Sequence, residues 1–185
     1  MATEYDLAVV GGGAVGAAFA ALAVRQARVP AARVVVIERE RPAPWRPTDD
    51  YDLRVFALSR ASARILAAAG AWEAIEAARV SPYERMRVWH ASMAPRGGEA
   101  LVFDAAELGE PNLGYIVEGR LIQAALHASL ETLGVTIVPA NVEALALSPD
   151  EAIVGLGERR IPARLVVGAD GGRSRVRELA GLPAK

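Results

Sequence analysis

No cysteine occurs among the 185 residues. Disulfides, thiolate nucleophiles and cysteine-held metals are therefore excluded. Histidine is almost as scarce: His90 and His127 are far apart in sequence. No metal centre is expected, and both read as structural or exposed rather than catalytic. An excess of charge of either sign is also missing, the formal net charge being −1. That removes the electrostatic case for a nucleic-acid partner. Aromatic residues make up only 5% of the chain, and Trp45, Trp72 and Trp89 read as packing residues. A true membrane span is lacking too. Leu7 to Val24 is uncharged and about the length that suggests one, but Gly11, Gly12, Gly13 and Gly16 interrupt it. Glu4 and Asp6 precede it, where a signal peptide wants a basic leader. No transmembrane segment is expected. What is plentiful is apolar surface, 52% of residues, enough for one substantial domain or one domain with a small lobe.

The chain opens with an apolar run, Tyr5–Val10, suited to a strand buried on both faces. An alanine-rich helix is expected over 14–27, then a β-branched strand over 33–37. This strand–helix–strand unit has the length of a right-handed crossover. Residues 40–52 carry Pro42, Pro44 and Pro47 and read as a loop. Residues 54–58 read as a brief extended piece. Ser59 reads as the N-cap of a helix over 60–69 and Gly70 as its C′ residue. A second short helix is expected over 71–78. Strands are expected over 85–91, 100–103 and 115–117, joined by glycine- and proline-bearing turns. Residues 118–133 place Leu121, Ile122, Ala125, Leu126, Ser129, Leu130 and Leu133 on one helical stripe, ended by Gly134. Strands over 135–138, 142–147 and 152–155 follow, the later two a hairpin around Pro149-Asp150. A buried strand over 164–167 and a helix over 174–180, closed by Gly181, complete the reading.

Gly11, Gly13 and Gly16 satisfy G-x-G-x-x-G after a strand and before a helix, the context the motif requires. Gly11 permits the tight turn, Gly13 lets backbone approach a pyrophosphate, and Gly16 lets helix and strand pack closely. The helix start at Ala14 offers free N–H groups and partial positive charge. Glu38, with Arg39 beside it, ends the second strand. An acid there can accept from both ribose hydroxyls of an adenosine and repels a 2′-phosphate. Together these residues point to a dinucleotide without separating FAD from NAD. Asp170-Gly171 follows another strand and precedes a helix. It brings a carboxylate to the carboxyl edge of the sheet, with Arg173, Arg175 and Arg177 able to meet phosphate or solvent.

Four segments carry a resemblance: Gly11–Gly16, Asp52–Ser59, Gly114–Arg120 and Val167–Arg177. In order and spacing the chain resembles the FAD-dependent aromatic hydroxylases, a flavoprotein monooxygenase family, and within it the ubiquinone-biosynthesis branch. The resemblance implies an α/β, Rossmann-like FAD-binding fold of the glutathione-reductase type, with part of a mixed-sheet substrate lobe. It implies FAD as cofactor and NAD(P)H as transient electron donor. The activity implied is O2-dependent hydroxylation of an aromatic small molecule or prenylated quinone precursor. Glu38 would hold the adenosine ribose. Arg54 and Arg120 would lie along the FAD backbone near pyrophosphate and ribose. Asp170 and Gly171 would belong to the motif the family links to both FAD and NAD(P)H. No side chain is assigned as catalytic. A reductase on the same fold, or a non-catalytic nucleotide-binding fragment or subunit, stays open. A halogenase is disfavoured, because its tryptophan-rich motif is missing.

The family carries a further Gly-Asp motif on a later strand, and nothing after Asp170 matches it. Residues 1–185 are therefore expected to be an incomplete FAD-binding domain, with 84–117 contributing strands toward the substrate lobe and the family's C-terminal half absent. Self-association or a partner chain is expected to follow, because a missing strand leaves an unpaired edge. The expected location is the cytoplasm, with a peripheral place at a membrane left open.

Overall fold

The computed structural model describes residues 4–94 and 96–183. Its helices are α1 (Ala14–Arg25), α2 (Arg60–Ala68), α3 (Trp72–Ala78), α4 (Gly119–Leu133) and α5 (Arg175–Leu179). Its strands are β1 (Tyr5–Val10), β2 (Val34–Ile37), β3 (Val55–Ser59), β4 (Ser81–Tyr83), β5 (Arg85–Val88) and β6 (Leu101–Asp104), then β7 (Gly114–Glu118), β8 (Thr136–Val138), β9 (Ala144–Leu147), β10 (Ala152–Leu156) and β11 (Arg159–Gly168).

The main sheet has the order β8-β2-β1-β11-β10-β9. Strands β8, β2, β1 and β11 run parallel. Strands β10 and β9 add an antiparallel edge. The period-two alternation of a strand sends Leu7 and Val9 to one side and Ala8 and Val10 to the other. Leu7 and Val9, with Val34 and Val36, pack against α1, α2, α3 and α4. Ala8 and Val10, with Val35 and Ile37, pack against Val154, Ile161 and Val176. Both faces of β1 and β2 are covered, which explains their continuous apolar sequence. The alanines of α1 let it lie close to β1, and α4 packs across it through Leu126 and Leu130, both fully buried. Burying a leucine side chain of this kind contributes about 1.5–3 kcal/mol.

Helix boundaries follow local chemistry. Ser59 Oγ accepts from Ser62 N at 3.1 Å and starts α2. Ser174 Oγ accepts from Arg177 N at 3.0 Å and starts α5. Gly70, Gly134 and Gly181 follow α2, α4 and α5 with φ of +77°, +77° and +69°, the left-handed conformation that ends helices. Helix α1 stops at Arg25 rather than residue 27. Arg28, at φ +57°, and Pro30 then carry the chain away.

Two differences from the sequence reading concern strands. The strand expected over 164–167 begins at Arg159 and forms a hairpin with β10 through Gly157-Glu158. Pro162 hid it, yet it pairs with Ile153 of β10 while β1 pairs only from Ala163 onward. Pro162 thus lies where β11 overhangs β1 and needs no ladder N–H on that side. Residues 164–167 are also not buried: Leu165 is 56% exposed. Strand β4 was not anticipated, since Pro82 interrupts it; it pairs with β7, as does β3. Strands β5 and β6 form a separate two-stranded ribbon.

Candidate functional site

Sequential strands β1 and β2 lie side by side, while β11 flanks β1 on the opposite side. The chain therefore leaves the carboxyl ends of these strands in divergent directions. A crevice opens at such a switch point, where ligands of open α/β sheets bind. A cavity of about 650 Å³ occupies it. Nine of the residues singled out from sequence line it: Gly11, Gly13, Glu38, Arg39, Arg54, Asp170, Gly171, Arg173 and Arg175.

The glycine turn forms its floor. Gly11 has φ +98°, and a Cβ there would collide with the backbone of Ala169 and Asp170. Gly16 abuts the Gly11 carbonyl so closely that no side chain fits. Gly13 differs: a Cβ would find only Gln123 Nε2, at 4.0 Å. The space above Gly13 is open, as a backbone that must approach a ligand requires. Gly13 is also the N-cap of α1 and supplies no side-chain cap, and the first turn, which starts at Ala14, holds no acid. The amides and the positive end of the helix are thus left for an anion.

Two carboxylates flank the turn. Glu38 Oε2 accepts from Gly12 N at 2.5 Å, and Oε1 from Glu40 N at 3.4 Å. Asp170 accepts from Ser174 Oγ at 2.5 Å, Arg175 N at 2.6 Å and Val176 N at 3.1 Å. Burial acts to raise the Asp170 pKa. The hydrogen bonds from Ser174, Val176 and Arg175 outweigh it and hold the carboxyl below its ordinary value. Asp170 therefore ties the 170–176 turn together, and Gly171, at φ +87°, makes the bend beside it. Arg173 and Arg175 reach the same cavity.

Arg54 lies over the Phe56 ring at 5.3 Å while facing the cavity. Arg120 is placed otherwise. Its guanidinium donates to Asp50 O at 2.8 Å and sits 3.7 Å from Asp52. It holds the loop that carries Arg54 instead of lining the cavity. Hydrogen bonds from Arg54 N, then from Arg120 N, keep the Asp52 carboxyl below its usual pKa. The same loop is fastened by Arg79, which pairs with buried Glu118 at 2.9 Å and lies over the rings of Trp45 and Tyr51.

Sequence reasoning missed Gln123 and residues 140–142, which also line the cavity. It also set aside His127, whose Nε2 lies 2.7 Å from Gly12 O. The available signal was a polar residue next to the buried stripe of α4.

The conserved-sequence pattern of a family described as FAD binding domain matches residues 4–185. The chain belongs to this family. It is 42% identical over 180 residues to 3-demethoxyubiquinol 3-hydroxylase of Escherichia coli, covering 96% of this chain and 44% of that protein. It is 34% identical over 181 residues to the ubiquinone hydroxylase UbiL of Rhodospirillum rubrum, covering 96% and 39%. Among solved structures, p-nitrophenol 4-monooxygenase PnpA of Pseudomonas putida superposes with a TM-score of 0.72 at 26% identity, over 98% of this chain and 44% of that one. The chain thus spans less than half the length of the relatives it matches. The fold is the α/β FAD-binding fold of flavin-dependent monooxygenases. The open Gly13 cradle, the uncapped start of α1 and Glu38 at the end of β2 fit the adenosine diphosphate portion of FAD. Among the described residues no helix is long and apolar enough to cross a membrane.

Proposed function

We propose that this chain is the FAD-binding portion of an NAD(P)H- and O2-dependent hydroxylase acting on the aromatic ring of a ubiquinone precursor. The observation that carries the reading is the cavity at the carboxyl ends of β2, β1 and β11. It brings together the uncapped amides at the start of α1, the Glu38 carboxylate and four arginines, Arg39, Arg54, Arg173 and Arg175. The substrate class rests on the 42% identity to a ubiquinol hydroxylase.

Each residue has a part in this reading. Gly11 and Gly16 shape the turn, and Gly13 and Ala14 present amides to the pyrophosphate. Glu38 accepts from the adenosine ribose with the lone pairs that Gly12 leaves free. Its charge disfavours a 2′-phosphate there. Arg39 and Arg54 flank the FAD backbone, and Arg120 steadies the loop bearing Arg54. Asp170 holds the 170–176 turn, whose Gly171 lines the same cavity and would border the bound cofactor. When bound, FAD supplies the redox chemistry, accepting a hydride from NAD(P)H and activating O2 for ring hydroxylation. The protein's own side chains bind, orient and exclude water, and none is needed as a nucleophile. Strands β5 and β6 extend from the FAD domain as the beginning of a substrate lobe.

Titration of the purified chain with FAD, followed by flavin fluorescence, tests the binding. Saturable quenching that is lost in Gly13→Val and Glu38→Arg is expected. A wild-type chain that takes up no flavin would sink the reading. NADH or NADPH oxidation that consumes no O2 would replace the hydroxylase by a reductase on the same fold.

A further inference from the structure

His127 is buried, 6% exposed, and lies on α4, far in sequence from the glycine turn. Its Nε2 meets Gly12 O at 2.7 Å. A carbonyl only accepts, so Nε2 carries the proton and donates. Gly12 is gripped on its other side as well, its N–H donating to Glu38 Oε2. The grip leaves no slack: a Cβ on Gly12 would stand 2.9 Å from Glu38 Cβ and 3.2 Å from His127 Nε2.

The peptide joining Gly12 to Gly13 is trans, as are all those described. In a trans peptide the C=O and the following N–H point in opposite directions. Fixing the Gly12 carbonyl toward α4 therefore fixes the Gly13 N–H away from α4. Gly13 lines the cavity and has open space beside it. Glycine is the residue whose backbone turns most freely, so an unrestrained Gly12-Gly13 peptide would sample orientations in which that N–H is lost to a ligand. We infer that His127 is a positioning residue for the cofactor: it locks the 12–13 peptide so that the Gly13 amide faces the FAD pyrophosphate. This inference rests on the FAD reading above and adds to it a residue with no contact to the cofactor itself. The stabilisation is one of preorganisation, since an amide already aimed loses no freedom on binding.

The test compares His127→Gln, His127→Asn and His127→Leu in the 185-residue chain, reading the FAD Kd by fluorescence. Glutamine places an amide N–H near the position of Nε2; asparagine falls a bond short; leucine has no donor. Glutamine is expected to bind FAD within about threefold of wild type. Asparagine and leucine are expected to bind about tenfold more weakly, the weight of one buried hydrogen bond. A purely structural role would lower the melting temperature of the ligand-free asparagine variant but leave the FAD Kd of its folded protein at the wild-type value. Should leucine fail to fold, the glutamine–asparagine pair still decides. Equal affinities for those two, or wild-type affinity for asparagine, would overturn the inference. If Gly13→Val and Glu38→Arg abolish binding while the His127 series is flat, only this inference fails. If those two variants bind normally, or wild type binds no FAD, the cofactor reading fails with it.

Discussion

The half of the molecule around β1 and the half around the β5–β6 ribbon are built to different standards. Around β1 and β2 the side chains of Val9, Val34, Val35 and Val36 are wholly shielded, and two packed clusters cover both faces of the sheet. In the ribbon, Met86, Val88, Leu101, Val102 and Phe103 are all exposed, Leu101 by 64%. Arg85 and Asp104 close one end with an ion pair, but among the described residues no second apolar layer covers the strands. A two-stranded ribbon is marginal without such a layer. The first region holds its shape through its own core and can present a rigid glycine turn. The second presents Met86, Val88, Leu101 and Phe103 on one face of the ribbon, exposed apolar surface of the kind that marks a contact site.

This contrast can be broken most forcefully at Gly16. Gly16→Val drives a side chain into the Gly11 carbonyl, and overpacking against backbone should cost about 3 kcal/mol or more. The expected outcome is loss of the cooperative thermal transition by circular dichroism. Leu130→Ala empties a fully buried site between α4 and α1, and about 2–5 kcal/mol of stability should disappear in urea titration. Gly13→Val sharpens the distinction between folding and binding. Its Cβ has room and its backbone, at φ −66° and ψ −176°, is one valine adopts. The melting temperature of the ligand-free chain should stay near wild type while FAD affinity collapses.

Acid probes the Asp170 turn. Its folded pKa is depressed. The contribution to stability is therefore complete above the unfolded carboxyl value of about 3.9 and is lost as pH falls through the lower folded value. Asp170→Asn should remove the corresponding part of the pH dependence of the melting temperature in that acid window and leave neutral-to-alkaline dependence unchanged. The smallest effect belongs to the ribbon. Leu101→Ser should change unfolding free energy by no more than about 0.5 kcal/mol. It should instead reduce self-association in sedimentation velocity; unchanged association would show that the ribbon is not the contact surface.

Legibility from sequence follows the same divide, for a reason of range. The turn from Val10 through Gly16, the strand to Ile37 and Glu38 are decided by neighbours in the chain, so pattern and propensity suffice. Ser59, Gly70, Gly134 and Gly181 were readable because caps act within a turn. Strand β11 was half hidden because whether Pro162 is tolerated depends on where β1 begins pairing, a fact of register between distant segments. Exposure of Leu165 depends likewise on what lies over the sheet. The partnership of His127 with Gly12 spans 115 positions, and Arg120 found partners in Asp50 and Asp52 across the fold. Nothing local announces either pairing, and both adjust the site rather than define it.

A crystal structure of the chain grown with FAD addresses the central claim most directly. The diphosphate should lie against the amides of Gly13 and Ala14, with the ribose on Glu38 and Asp170-Gly171 bordering the same crevice. Flavin bound elsewhere, with side chains filling the space above Gly13, would contradict it.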